Sequence, residues 1–201
     1  FEGLNEERNN LLRRKGEMSQ ESYIELMLDY EKSDVKPGDG GNLKQKLIED
    51  LDFSESDANY CSQVLAKGLF RGWSPNAPLY RHQWDMTISV LKGSPSVITS
   101  GTGSGKTESF LLPILLNILR ESRRWSQAPP PNPPWWNSYT KKYKSQRNTV
   151  GEIESGRQPG LRGMIIYPMN ALVEDQLGRL RDALDTDDVL ETINSNNGGR
   201  I

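Results

Sequence analysis

The feature that most restricts what this chain can fold into is the run Ser100-Gly101-Thr102-Gly103-Ser104-Gly105-Lys106-Thr107. It lies between a short β-prone run, Ser96-Val97-Ile98-Thr99, and an apolar stretch over about Lys106 to Arg120 that reads as helix. In that strand–loop–helix context, glycines let consecutive backbone N–H groups turn inward around phosphates, and the positive end of the following helix adds to their field. A lysine at the end of the loop reaches the β/γ oxygens, and the next hydroxyl coordinates Mg²⁺. Lys106 and Thr107 fill those two places, and Gly103 and Gly105 supply the close backbone approach. The pattern wants glycine first, where this chain has Ser100. A small residue there keeps the turn. Nucleotide-phosphate binding is therefore expected, although the loop does not by itself separate a translocating ATPase from a GTPase, a kinase or a transporter ATPase.

The flanking segments make that separation. Upstream stands Leu79-Tyr80-Arg81-His82-Gln83, and the loop continues into Glu108-Ser109-Phe110-Leu111-Leu112-Pro113-Ile114-Leu115. Downstream stands Tyr167-Pro168-Met169-Asn170-Ala171-Leu172-Val173-Glu174-Asp175-Gln176. In this order the three strings resemble the adenine-recognising Q motif, motif I and motif Ia of superfamily 2 DEAD/DEAH-box-type helicases. The third is similar to that of the large bacterial MrfA/YprA-like group, whose relatives occur in antiphage systems such as DISARM and Druantia. The resemblance runs over roughly residues 78–184 and does not reach the acidic front of the chain.

The resemblance implies an α/β fold: an incomplete RecA-like P-loop lobe, a parallel sheet flanked by helices, preceded by a small helical region. It implies ATP with Mg²⁺, contacted by Tyr80, Arg81, Gln83, Thr102, Gly103, Ser104, Gly105, Lys106, Thr107 and Glu108, with Thr107 on the metal. Gln83 is the expected adenine reader, because an amide donates and accepts at once. Tyr80 or Arg81 could stack on the base or be packing and surface. Pro168, Asn170, Ala171 and Gln176 match the segment that contacts one nucleic-acid strand, expected to be DNA, by largely sequence-blind phosphate contacts. Arg179 could reach a phosphate or be an exposed helix charge. His82 has no metal-ligand partners in the sequence and reads as structural.

Composition fits this organisation only when taken by segment. The total charge of −2 argues against nucleic acid, but residues 1–60 carry 15 acids against 8 bases, whereas residues 61–107 carry 5 bases against 1 acid. The acidic carboxylates read as a solvated face, not an acid/base pair. The mean hydropathy of −0.70 points to long exposed segments. No run approaches the roughly 18 apolar residues of a membrane span, and one Cys with one His cannot build a disulfide framework or a Cys/His zinc site. A cytoplasmic protein is the default expectation, with no membrane partner.

The expected organisation is an acidic helical accessory region over 1–70 and the front of the ATP-binding domain over 71–201. Helices are expected over 18–32, with Tyr23, Leu26, Met27 and Tyr30 on one face; around Leu43, Leu47 and Leu51; from Ser54 to Gly68; over about Tyr80 to Lys92; from Lys106, where Pro113 should kink it; and from about Asn170, with Val173, Leu177, Leu180 and Leu184 on one face. Gly163 to Tyr167 reads as a second strand. Residues 123–160 form a Pro/Trp/Lys-rich insertion, read either as a polyproline spacer pinned by its tryptophans or as a platform on which Trp135 and Trp136 stack unpaired bases. No Asp-Glu acidic box follows motif Ia within these residues, and the resemblance implies that the box and a second lobe belong to a longer polypeptide. Partners expected on this reading are the remainder of the same helicase polypeptide and other subunits of a defence complex. The alternative from another class is a non-catalytic, nucleotide-binding module that recruits DNA or protein.

Overall fold

The computed structural model describes residues 2–13, 29–101, 103–124, 160–167 and 170–197. Its helices are α1 (Glu2–Arg13), α2 (Leu43–Leu51), α3 (Glu55–Lys67), α4 (Arg81–Leu91), α5 (Lys106–Ser122), α6 (Asn170–Leu184) and α7 (Asp187–Asn197). The expected helix over 18–32 and the Pro/Trp/Lys insertion fall mostly outside the described residues.

The core forms where the four-residue spacing of leucines predicts it. Leu43, Leu47 and Leu51 of α2 pack with Tyr60, Cys61, Val64 and Leu65 of α3 and with Leu112, Leu115, Leu116 and Leu119 of α5. Val189 and Ile193 of α7 close the same cluster. The hydrophobic core is thus continuous across position 70, so α2, α3 and the loop-bearing helix share one interior. Each buried leucine removes enough apolar surface from water to contribute about 2–3 kcal/mol.

Local chemistry sets the helix ends. The Ser54 side chain accepts from Asp57 N–H at the start of α3, with Glu55 and Asp57 in its first turn complementing the dipole. Gly68 ends α3 where a Cβ would stand 2.0 Å from the Ala183 carbonyl oxygen, so only glycine lets α6 approach this closely. Pro113 lies buried inside a helix that runs on through Ser122. At the far end of α5, Arg123 pairs with Asp57 at 3.1 Å and lies over the Tyr60 ring, while Arg120 lies 4.5 Å over Phe53. These contacts tie the C-terminus of α5 to α3 through cations placed where the helix dipole favours them.

One expectation is not met among the described residues, and two are corrected. The parallel sheet does not appear among the described residues: Ser96–Thr99 and Gly163–Tyr167 have no strand ladder, and the β-pairing present is an isolated antiparallel bridge between Lys32 and Tyr80. A strand needs a neighbour to satisfy its backbone, and here Val97, Met164 and Ile166 stand 89%, 68% and 83% exposed. Second, residues 29–32 are not helical. Glu31 carbonyl accepts from Arg81 N–H, Ser33 N–H donates to Leu79, and Leu79 N–H donates to Val35, so this segment spends its backbone groups on the stretch before α4. Third, α6 does not bury the expected stripe: Val173 and Leu177 are exposed, and the helix turns Gln176 and Ala183 inward with Leu180 and Leu184 beside them. Helices α1 and α7 had no counterpart in the sequence reading.

Candidate functional site

The loop is held from behind by the first turn of α4. His82 Nε2 donates to the Ser104 carbonyl at 2.9 Å, and Gln83 Nε2 donates to the Gly105 carbonyl at 2.9 Å. Because a carbonyl can only accept, the first bond fixes the proton of His82 on Nε2. In a planar trans peptide the C=O and the following N–H point opposite ways. Drawing the two carbonyls toward α4 therefore turns the N–H groups of Gly105 and Lys106 away from it, toward the mouth of the loop.

Glycines permit this geometry. Gly103 and Gly105 sit at φ of 77° and 71°, in the left-handed region. A Cβ on Gly105 would also lie 2.2 Å from Gln83 Nε2. Between them the Ser104 side chain is buried, with its hydroxyl donating to Gly101 carbonyl at 3.0 Å and sharing a 2.6 Å contact with Ser100 Oγ. Gly105 is the N-cap of α5 and brings no side chain to cap it. The first N–H groups of a 17-residue helix thus open onto the loop.

Lys106 folds back over this mouth, its Nζ donating to the Ser100 carbonyl at 2.8 Å and to that of Gly101. These are neutral acceptors that a phosphate oxygen would outbid, since its full negative charge adds Coulomb attraction to the ammonium's hydrogen bond. Thr107 lies half-buried next to it. The donor set suits a polyphosphate with a divalent cation: an ammonium, uncapped amides and a hydroxyl. Thr102 lies outside the described residues.

The flanking residues are placed as follows. Gln83 is 1% exposed, and its amide is engaged at both ends, Oε1 accepting from Tyr80 N–H at 2.8 Å while Nε2 holds Gly105. Tyr80 caps α4 and stacks on His82 with ring centroids 5.6 Å apart. Arg81 is turned to the front segment, pairing with Glu31 at 2.6 Å, an exposed ion pair that raises its pKa. Tyr30 packs edge-on against both Tyr80 and His82, and its hydroxyl accepts from Gly101 N–H at 3.0 Å. A cavity of about 520 Å³ opens beside the loop between Tyr30, His82, Asp85 and Met86 on one side and residues 96–100 on the other.

Of the residues expected at a nucleic-acid strand, Pro168 lies outside the described set, while Asn170 and Ala171 open α6. Gln176 faces inward: it is 8% exposed, its amide nitrogen donates to Asp175 at 3.0 Å, and its oxygen is buried with no hydrogen-bond partner among the described residues. Like Gln83, it would have to turn outward to meet a ligand. Arg179, left open between a phosphate contact and a surface charge, pairs with Glu108, its side chain 40% exposed.

Sequence reasoning missed the two residues that touch the loop from outside the motif glycines, His82 and Tyr30. The signal for His82 was its place beside Gln83 at a helix start, where a side chain points at whatever packs on the first turn. Tyr30 carried none, being 71 residues from Gly101.

The description of the family whose model matches residues 80–197 is DEAD/DEAH box helicase. The chain is 34% identical over 182 residues to Druantia protein DruE of Escherichia coli, covering 90% of this chain and 8% of that protein. It is 35% identical over 107 residues to ATP-dependent RNA helicase dbp4 of Aspergillus niger, covering 46% of this chain and 13% of that protein. The chain therefore spans a small part of the length of these relatives. No solved structure matches it.

Proposed function

Because the chain belongs to the DEAD/DEAH box helicase family, we propose that it is the nucleotide-loop part of an ATP-dependent helicase or translocase that works on DNA in antiphage defence. The observation that carries this reading is the grip of His82 and Gln83 on consecutive loop carbonyls, which points the loop's N–H groups at the place a phosphate would take. Lys106 would release Ser100 and Gly101 to hold the β/γ oxygens, and Thr107 would hold Mg²⁺. When bound, the cation would supply positive charge that neutralises charge developing on the phosphates. Gln83 is assigned to the adenine, and because its amide is 1% exposed it would have to turn outward to meet the base.

The start of α6, with Pro168, Asn170 and Ala171, is assigned to the strand backbone, where a helix N-terminus offers N–H groups to a phosphate. Water activation and the parallel sheet are assigned to the remainder of a larger polypeptide, which would supply an acidic box, a second lobe and strands to pair with residues 96–99 and 163–167. Residues 1–70 act as an accessory region that holds the loop. The likeness to Druantia protein DruE supports the defence role. A cytoplasmic location follows from that role.

The test is ATP turnover by the full-length protein without nucleic acid and with single-stranded DNA, duplex DNA and RNA. The reading expects turnover stimulated by DNA and abolished by Lys106→Ala. Unchanged turnover in that variant refutes the loop assignment, and stimulation by RNA alone refutes DNA as the substrate.

A further inference from the structure

One charged contact joins the two sites that the proposed function leaves separate. Glu108 follows directly after Thr107, in the first turn of α5, and its side chain is only 13% exposed. Its partner is Arg179 of α6, 71 residues away. A second contact lies nearby in the chain: Phe110 of α5 meets the Tyr167 ring edge-on with centroids 6.4 Å apart, and Tyr167 immediately precedes Pro168. Burial pushes the Tyr167 phenol up in pKa, and the charge of Arg179 acts on it in the opposite sense. The helix following the phosphate loop and the helix that opens on the nucleic-acid turn therefore meet through one side-chain layer.

We propose that Arg179 is a positioning residue that couples the two sites, its ion pair with Glu108 linking the place of α6 on a nucleic-acid strand to the geometry of Lys106 and Thr107. A mostly buried carboxylate is costly to leave without its counter-charge, so the pair resists separation. The contact runs from one guanidinium nitrogen to one carboxylate oxygen, and the rigid planar guanidinium fixes its direction where a point charge would not. A shift of α6 on binding a strand must therefore either carry the first turn of α5 with it or break the pair. Coupling of this kind is a free-energy term between sites, usually worth five-fold or more in the linked property.

The proposal rests on the functional reading above, and the experiment separates the two. Turnover by the full-length protein is measured with and without an oligodeoxythymidylate, together with oligonucleotide affinity by fluorescence anisotropy, for the wild type, Arg179→Ala, Arg179→Lys and Lys106→Ala. Expected for Arg179→Ala is basal turnover within about twofold of wild type, unchanged oligonucleotide affinity, and stimulation reduced about tenfold. Arg179→Lys should recover part of the stimulation, since it restores the charge but not the planar guanidinium, and it serves as the readout if the alanine variant does not fold. Full stimulation in both variants overturns the proposal. So does a loss of oligonucleotide affinity that accounts for the lost stimulation, which makes Arg179 a phosphate contact, or an equal loss of basal and stimulated turnover, which makes it merely structural. If Lys106→Ala keeps its turnover, the functional reading falls and the coupling with it. If Lys106→Ala is dead while both Arg179 variants behave as wild type, the coupling alone fails.

Discussion

Replacing Gln83 tests whether the grip on the loop is as consequential as its geometry suggests. In Gln83→Ala the Gly105 carbonyl keeps two other donors, Ser109 N at 3.3 Å and Ser109 Oγ at 3.2 Å, so it is not orphaned. Tyr80 N–H is the group that loses its partner, the Gln83 oxygen at 2.8 Å. A donor left unsatisfied costs about 1–3 kcal/mol, and loss of the buried methylene adds about 1 kcal/mol. The sum, about 2–4 kcal/mol, corresponds to a fall in Tm of roughly 5–15 °C for a domain of this size. Gln83→Glu separates the two bonds. Its carboxylate still accepts from Tyr80 N–H but sets a second oxygen against Gly105 carbonyl in place of a donor. The acid form restores a donor, so the stability of Gln83→Glu should rise as pH falls, while that of Gln83→Ala changes only as the wild type does. Thermal unfolding by circular dichroism at pH 5 and pH 8 reads both effects. Gln83→Ala within about 0.5 kcal/mol of wild type, or Gln83→Glu showing no pH dependence beyond wild type, would refute the reasoning.

Two other perturbations have defined outcomes. Gly105→Ala places a Cβ 2.2 Å from Gln83 Nε2 at a φ of 71°; it should cost about 1–3 kcal/mol in urea unfolding and abolish nucleotide binding in the folded variant. Cys61 is fully buried, and burial pushes its thiol from 9.0 up to about 12. Iodoacetamide at pH 8 should therefore label it only at the rate of unfolding. Above pH 9 the unfolded thiol loses its proton while the native one keeps it, so this group should lower stability as pH rises toward 12, by at most about 1.4 kcal/mol per pH unit. Cys61→Ala should remove that slope, a comparison made by urea unfolding across the range.

What could be read from the sequence follows the range of the interactions involved. The glycines and Lys106 announce the loop because phosphate chemistry fixes residue type and spacing locally. The α2 and α3 helices are legible from leucine spacing and from the Ser54–Asp57 cap, again within a few residues. The strand readings at 96–99 and 163–167 fail for a physical reason: a strand exists only with a partner, and β-propensity in Val97, Ile98 and Ile165 does not provide one. The helix expected through Tyr30 gives way to backbone bonds with residues 79–81, a long-range choice that local periodicity does not register. The exposed stripe on α6 shows the same limit, since Gln176 took the inward place that the spacing of Val173 and Leu177 claimed for them. The ion pair between Glu108 and Arg179 was invisible for the same reason.

The central claim, that residues 100–107 are built to receive the phosphates of ATP, is tested most directly by calorimetric titration of Mg·ATP into the wild-type chain and Lys106→Ala. The account predicts that removing the ammonium weakens binding about tenfold or more, a difference of about 1.4 kcal/mol or greater, with thermal unfolding of the two apo proteins nearly coincident because Lys106 is exposed. Equal affinity of the two proteins for Mg·ATP would contradict it.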